Sequence, residues 1–586
     1  MISPLNVTDW TPQHFIANLS ECNAILENQD TLKEIPLLNN IPLHSLKDQQ
    51  VVRFKGMIQD IHDPEYYFKR YEVKNTRTNT RELRCGMYGD TAKCLPHEEI
   101  LLDSEQNETS ERQMYIVIST PGLNHWAKEK YEQVSCSCKS TTSHHKRNLM
   151  EDSSCNNVEH SGSIRKRGKV SLMETDVEMD PVKHNTDGDG QCPFSKEYIL
   201  NFPIPMDDGK ACIVKVYETI PLKLNQIIEI VGFISLDPFL SVHDNPDETM
   251  TEAEINVHHP PATVVPRLHA VKISHAIKHD ITAAPQLMSK AELIRCDLRL
   301  ILSQLLFGDN LAADYLICHL LSSIYTRRDY FCLGTYPLNI THFPATKYNK
   351  FTKDLYKFLT LFTEKSHLLE ITLDSLNDLS LSPKKDYECN RLSSGVLQLS
   401  DNTHLVIDET GLATGQITQA GRENYNTICD LINFQKITYD FKFYKIEYET
   451  DIPVLILSEA KSFIPCQTQI ALQEDTESEK IYPHILEITG QYLKEGDRLA
   501  NIRQYLQILR DTKFEFNDED VVKEIQNDFI RTKEINRNPD HLHSLMVLAR
   551  LLSLSYGLNV LTTDYWKKAV QMEVERISRL PKKREI

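Results

Sequence analysis

The stretch with the sharpest chemical content is His404-Leu405-Val406-Ile407-Asp408-Glu409. An apolar run ending in an acidic pair is the pattern of a Walker-B strand, whose Asp positions Mg²⁺ and whose Glu polarises the attacking water. Such a strand does nothing alone. ATP hydrolysis also needs GxxxxGK[ST], whose backbone N–H groups and Lys hold the phosphates. The only Gly-Lys pairs are Gly168-Lys169 and Gly209-Lys210, followed by Val170 and Ala211 rather than Ser or Thr. Neither lies between a strand and a helix ahead of Asp408. Asp408 and Glu409 are therefore expected to sit on a nucleotide-type sheet without nucleotide chemistry, and no cofactor is expected.

Cys136, Cys138, His144, His145, Cys155 and His160 are of types that bind zinc. Their spacing matches no common tetrahedral site, so no metal is assigned. The basic clusters Arg165-Lys166-Arg167-Gly168-Lys169 and Lys582-Lys583-Arg584 read as nuclear import signals. Without interleaved aromatics for base stacking, they do not read as a nucleic-acid surface. There is no GxSxG, HExxH or GxGxxG after a strand, which leaves a general hydrolase or redox enzyme without support.

The elements that must position these residues fall into two parts. Val51–Ile58 and Ile227–Ile234 alternate with period two, carry a mid-strand Gly (Gly56, Gly232) and run into Asp-Pro pairs (Asp63-Pro64, Asp237-Pro238) read as turns. Bent strands with a central Gly suit a small closed barrel of the OB type. With further strands at 114–119, 211–217 and 264–273, one OB-like barrel is expected from both halves. Between them, Glu132 to Gln191 contains no Phe, Tyr or Trp, so 132–193 is expected to be a disordered insertion. The acidic loop 243–256 is expected to be mobile. From about Ala283, strands at 336–340, 368–373, 403–407 and 454–457 alternate with helices at 311–324, 351–362 and 425–434, which argues for a mostly parallel sheet. The tail after Tyr482 is expected to be helical.

The chain has 586 residues, with 65 Lys+Arg against 83 Asp+Glu and a net charge of −18. That acidity disfavours a sequence-independent DNA binder. No run approaches the roughly 20 apolar residues of a membrane span, and no secretory signal is visible. The 14 Cys are irregularly spaced and form no CxxC, which suits free thiols in a reducing compartment.

Several stretches together resemble the MCM-binding protein family, partners of the hexameric MCM replicative helicase. They include Ile41-Pro42-Leu43-His44, Gly56-Met57-Ile58-Gln59-Asp60, Leu200-Asn201-Phe202-Pro203, Val214-Lys215-Val216-Tyr217-Glu218 and His258-His259-Pro260-Pro261-Ala262. In the second half they include Tyr325-Thr326-Arg327-Arg328-Asp329, Lys385-Asp386-Tyr387, Asn390-Arg391-Leu392 and Leu405–Thr410. The resemblance spans about residues 35 to 575 apart from the insertion. It implies a degenerate relative of MCM subunits: a split OB-type domain, then an AAA+-like domain that has lost its phosphate loop. The zinc module that MCM subunits carry in the OB insertion has no CxxC counterpart here. The resemblance further implies a nuclear, non-catalytic protein that binds MCM subunits and regulates their assembly, stability and unloading from chromatin during DNA replication, with a part in sister chromatid cohesion. Chromatin is then reached through MCM; direct DNA binding and membrane contact are not expected.

The expected architecture is multidomain α+β and α/β. Residues 1–48 form an N-terminal docking segment, 49–131 and 194–280 the two halves of the OB-like domain, and 132–193 the insertion. Residues 281–470 form the degenerate AAA+-like domain and 471–586 a helical C-terminal region. An active AAA+ ATPase using Asp408 and Glu409, and a single-stranded DNA binder using the barrel, are the alternatives.

Overall fold

The computed structural model describes residues 6–135, 195–236, 251–275, 287–328, 331–343, 348, 350–473, 481–516, 519–532 and 539–580. The Cys/His tract, both basic clusters and Asp237-Pro238 lie outside these residues, as does 243–250 of the acidic loop. The rest of that loop is not loose. Thr251 caps a helix, Glu252–His258, by accepting from Glu254 N, and His258 Nε2 lies 3.0 Å from the Cys389 carbonyl. The helix His125–Ser135 likewise enters the expected insertion before the described residues stop.

A seven-stranded sheet closes on itself. Its strands are β1 (Val51–Asn75), β2 (Arg81–Cys85), β3 (Glu98–Ile100), β4 (Glu108–Ile118), β5 (Ala211–Val216), β6 (Ile227–Ser235) and β7 (Arg267–His275). The ring runs β1-β4-β5-β7-β6 and back to β1, antiparallel except for β5–β7, so strands from both sides of the insertion build it. β1 closes the ring by pairing with β6 along its first half and β4 along its second. Gly56 sits at that handover, where a Cβ would collide with the Ile118 carbonyl, and Gly232 sits at the β6–β7 bulge. Asp63-Pro64 is not the expected turn. β1 continues through it with a register shift between His62 and Glu65, because a residue without N–H is tolerated at a bulge. Short helices at Pro12–Ala17, Leu19–Leu26 and Gln29–Glu34 cover one side of the ring, burying Trp10, Phe15 and Leu26 against Val51, Tyr88 and Phe233.

The second half opens with helices Ala291–Leu305 and Asn310–Leu320, the first of which the sequence reading passed over. A hairpin, β8 (Thr326–Arg328) and β9 (Phe331–Leu333), follows. The expected parallel sheet is present, built from β10 (Leu338–Thr341), β11 (Ser366–Glu370), β14 (His404–Asp408), β17 (Val454–Ser458) and β18 (Thr468–Ala471), in the order β11-β14-β17-β10-β18. Its central strands read HLVID and VLILS and are buried throughout, as strands covered on both faces must be. Val406, Leu455 and Leu457 meet Phe351–Phe362 and the C-terminal helices; Leu405, Ile407 and Ile456 meet the helix Gln419–Phe434. A smaller sheet, β12 (Lys384–Asp386), β13 (Arg391–Ser393), β15 (Lys436–Asp440) and β16 (Lys445–Glu449), ordered β13-β12-β15-β16, was not expected. Helices Tyr482–Lys494, Arg498–Arg510, Glu519–Thr532, Pro539–Ser555 and Thr563–Arg579 fulfil the helical tail. Its last helix is clamped by Arg579, which donates at 2.7 Å to Asp309, the N-cap of Asn310–Leu320. No single described helix is long and apolar enough to cross a membrane.

The ring and the second half share a polar seam, made mostly with the small sheet. The Asp60 carboxylate accepts from Leu392 N at 2.8 Å, and Gln398 Nε2 donates to the Gln59 carbonyl at 2.9 Å. Arg391 donates to the Tyr198 carbonyl at 2.7 Å and lies 3.9 Å from that ring's centroid. Asn225 and Tyr439 exchange side-chain bonds, and Trp126 Nε1 donates to the Thr360 carbonyl at 3.0 Å. Burial holds the Asp60 carboxyl above its ordinary range despite the Leu392 bond.

Four buried histidines and the half-buried His367 are held neutral, chiefly by desolvation. His62 is pushed down to about 3, His319 and His367 to about 4, and His269 and His404 also lie below the usual imidazole value. A folded-state pKa below the unfolded value means that the unfolded chain takes up protons first as pH falls. Their stabilisation is complete above roughly pH 6.5 and is lost below it, at up to about 1.4 kcal/mol per histidine per pH unit. Asp60, Glu409 and Asp451, raised by burial, oppose this slope but are outnumbered. The melting temperature, followed by circular dichroism, is expected to fall steadily from about pH 7.5 to about pH 5.5; a flat profile contradicts the neutral burial.

Candidate functional site

β14 ends where the sequence placed the acidic pair, at the C-terminal edge of the sheet between β11 and β17. Both carboxylates are almost fully enclosed, with Asp408 5% and Glu409 7% exposed. Asp408 Oδ1 accepts from Thr410 N at 3.0 Å and Thr410 Oγ1 at 2.7 Å, closing a tight Asx-type turn on itself. Glu409 reaches across to the loop after β17. Its Oε1 accepts from Ser462 Oγ at 2.9 Å and Ile464 N at 3.1 Å, and its Oε2 accepts from Phe463 N at 3.0 Å. Desolvation raises the Glu409 carboxyl, while these donors pull it back. Most of its acceptor directions are occupied.

The loop that could cradle phosphates follows β10, where the connection order of the sheet reverses: β10 leads to β11 on one side, and β18 lies on the other. Its sequence, His342 to Lys350, contains no glycine, and Pro344 has no N–H to offer. His342 N is bonded to the Glu459 carbonyl, and its Nδ1 lies 2.7 Å from Thr341 Oγ1. Phe343 is buried 4.7 Å from the Phe351 ring at the start of the next helix. Phe307, Tyr348 and Tyr482 continue the cluster, with Phe307 and Tyr482 centroids 4.4 Å apart. Aromatic rings converge between the end of β10 and the start of that helix. Lys353, one turn into that helix, pairs with Glu370 at 3.0 Å.

Two groupings carried no signal in the sequence. His319 and His404 meet at 2.9 Å through their Nε2 atoms, both buried. His319 Nδ1 lies 2.7 Å from the Tyr336 carbonyl, which can only accept, so His319 Nε2 accepts and His404 Nε2 donates. Their 85-residue separation hides this pair from any local pattern. In the ring, Arg112 is enclosed between Tyr67 and Tyr217 and donates to Glu65 at 2.9 Å, while Lys215 bridges Glu65 and Asp90. Both are internal packing networks, although the buried His404 Nδ1 has no hydrogen-bond partner among the described residues. Among the described residues no group of three or more His, Cys, Asp or Glu could hold a metal ion.

A family model described as Mini-chromosome maintenance replisome factor matches residues 22–580. The chain is 35% identical to the Mini-chromosome maintenance complex-binding protein of Rattus norvegicus, covering 99% of this chain and 95% of that one. It is 36% identical to the Homo sapiens protein of the same name, over 98% and 94%, and 34% to that of Drosophila melanogaster, over 98% and 97%.

With Glu409 acting as a clamp on the 462–464 loop, Glu409→Ala leaves buried amide donors unmatched and is expected to cost about 2–3 kcal/mol. Hydrogen exchange should show lost protection at Phe463 and Ile464 and a lowered melting temperature. Unchanged protection at those amides contradicts the clamp.

Proposed function

The chain belongs to the Mini-chromosome maintenance replisome factor family, and from that membership we propose that it is a non-catalytic nuclear partner of the MCM replicative helicase. It associates with MCM subunits and governs assembly, stability and unloading of their complex during DNA replication, meeting chromatin through MCM and thereby touching the cell cycle and sister chromatid cohesion. The carrying observation is the state of the two loops at the carboxyl end of the sheet. The loop after β10 presents rings and no glycine, and Glu409 is already bound to three donors. A segment without glycine is a poor triphosphate cradle and a carboxylate already bonded is a poor general base, which supports the non-catalytic reading.

The architecture supports descent from a helicase subunit. Counting the five main strands of the closed sheet in chain order, the ring runs 1-2-3-5-4-1, with one long bent strand shared between two neighbours. That suits an OB-type barrel. The parallel sheet runs 2-3-4-1-5, with the acidic pair ending its third strand, which suits an AAA+-like domain. Subunits of such rings associate head to tail, and a closed ring forms only if every rotation fits. A mimic with similar lateral faces and no nucleotide occupies an edge and prevents closure. The same contacts store incomplete rings and loosen complete ones. The nuclear location rests on the basic clusters at Arg165–Lys169 and Lys582–Arg584.

Affinity capture of the full chain from nuclear extract at native salt is expected to retain a subset of MCM subunits, with or without ATP. The purified chain should release no phosphate above background. Failure to retain any MCM subunit, or ATP hydrolysis abolished by Glu409→Gln, overturns this function.

A further inference from the structure

β16 is the last strand of the small sheet, and its outer edge has no partner among the described residues. The hydrogen bonds Phe441 N to the Tyr444 carbonyl and Thr450 N to the Gln435 carbonyl fix the phase of the hairpin. Alternate residues exchange bonds in an antiparallel pair, so Ile446 and Tyr448 bond inward to Tyr439 and Ile437. The N–H and C=O groups of Lys445, Glu447 and Glu449 therefore point outward. Lys445, Glu447 and Glu449 are exposed, and Phe443 at the hairpin tip is 80% exposed. An open edge of this kind is a template for another strand, and it is normally blunted or covered.

We propose that this edge is covered by the same edge of a second copy of the chain, giving a two-fold dimer in which the small sheet continues from one protomer into its partner. The register follows from the backbone. Outward-facing residues must meet outward-facing residues, and a two-fold axis through Glu447 does this for all three. It sets Lys445 opposite Glu449 of the other copy and Glu449 opposite its Lys445. On the solvent face, Lys445 lies across from Asp440 and Glu449 across from Lys436 within one hairpin. Joining two hairpins then produces rows of alternating sign, Asp440-Lys445-Glu449-Lys436, crossing the interface twice. On the opposite face, Ile446 meets Tyr448. The one like-charge meeting, Glu447 with Glu447, is tempered because each Glu447 is already held by Lys436 at 2.8 Å. Opposite-charge cross-strand pairs stabilise and like pairs destabilise, so the β16 sequence Lys-Ile-Glu-Tyr-Glu is complementary to its own reverse. Such an interface is isologous and closes at two copies, which limits edge-to-edge growth.

Sedimentation velocity on the purified full chain tests this. The wild-type mass should rise with concentration from 67.6 kDa toward twice that value. Lys445→Glu places three acids in each row, and Glu449→Lys places three adjacent lysines in each. Each should weaken the dimer at least about tenfold in Kd, while the circular dichroism spectrum of the folded chain stays that of the wild type, since both side chains are exposed. An equimolar mixture of the two variants restores opposite charges at both crossings and should dimerise again. A wild-type chain that stays at 67.6 kDa throughout, a dimer indifferent to both substitutions, or a mixture that stays monomeric overturns the proposal.

Discussion

A carboxylate carried to the end of a buried strand has to be matched by donors, and at the end of β14 the donors are the protein's own. Asp408 turns back on Thr410, and Glu409 holds the backbone of Phe463 and Ile464 together with the Ser462 hydroxyl. In an ATPase the same two side chains must stay available to a metal ion and a water. Here the desolvation that raises the Glu409 carboxyl is opposed by fixed local bonds. The loop after β17 is thereby pinned, and at the end of β10 Phe343 packs on Phe351. At this edge of the sheet Glu409 fastens β14 to the loop after β17.

The same economy runs through the junction between the closed sheet and the second half of the chain. Buried polar groups cost stability unless matched, and here they are matched across the boundary: Asp60 with Leu392, Gln59 with Gln398, Arg391 with Tyr198, Asn225 with Tyr439. Ile204 from the first half lies within the core of the second. The small sheet is the adaptor, because β13 supplies Arg391 and Leu392 to the seam while β16 faces solvent. A seam of directional bonds fixes the relative orientation of the two parts more tightly than apolar contact alone.

Much of this was legible residue by residue. The strands β10, β14 and β17 announce themselves as short apolar runs, and the helices Phe351–Phe362 and Thr563–Arg579 by their period. Asp408 and Glu409 were visible as a motif, but Ser462 to Ile464 lie 53 to 55 residues away with no local mark. β1 proved longer than its sequence suggested because Pro64 reads as a stop and acts as a bulge. β12 and β16 were invisible for a different reason. Lys-Lys-Asp and Lys-Ile-Glu-Tyr-Glu present little apolar face, and their strand form comes from pairing partners far along the chain. The helix at Glu252–His258 replaced an expected loose loop because its stabilising contact, His258 with Cys389, is likewise remote.

The proposed function requires that a helicase-subunit scaffold persist while the chain itself occupies its triphosphate site. The most direct measurement is a crystal structure of the protein grown with excess Mg²⁺ and a non-hydrolysable ATP analogue. The account predicts Phe343 still packed on Phe351 and Glu409 still bonded to Ser462, Phe463 and Ile464, with no nucleotide above β10. A triphosphate seated there, with Asp408 turned to its metal ion, would contradict it.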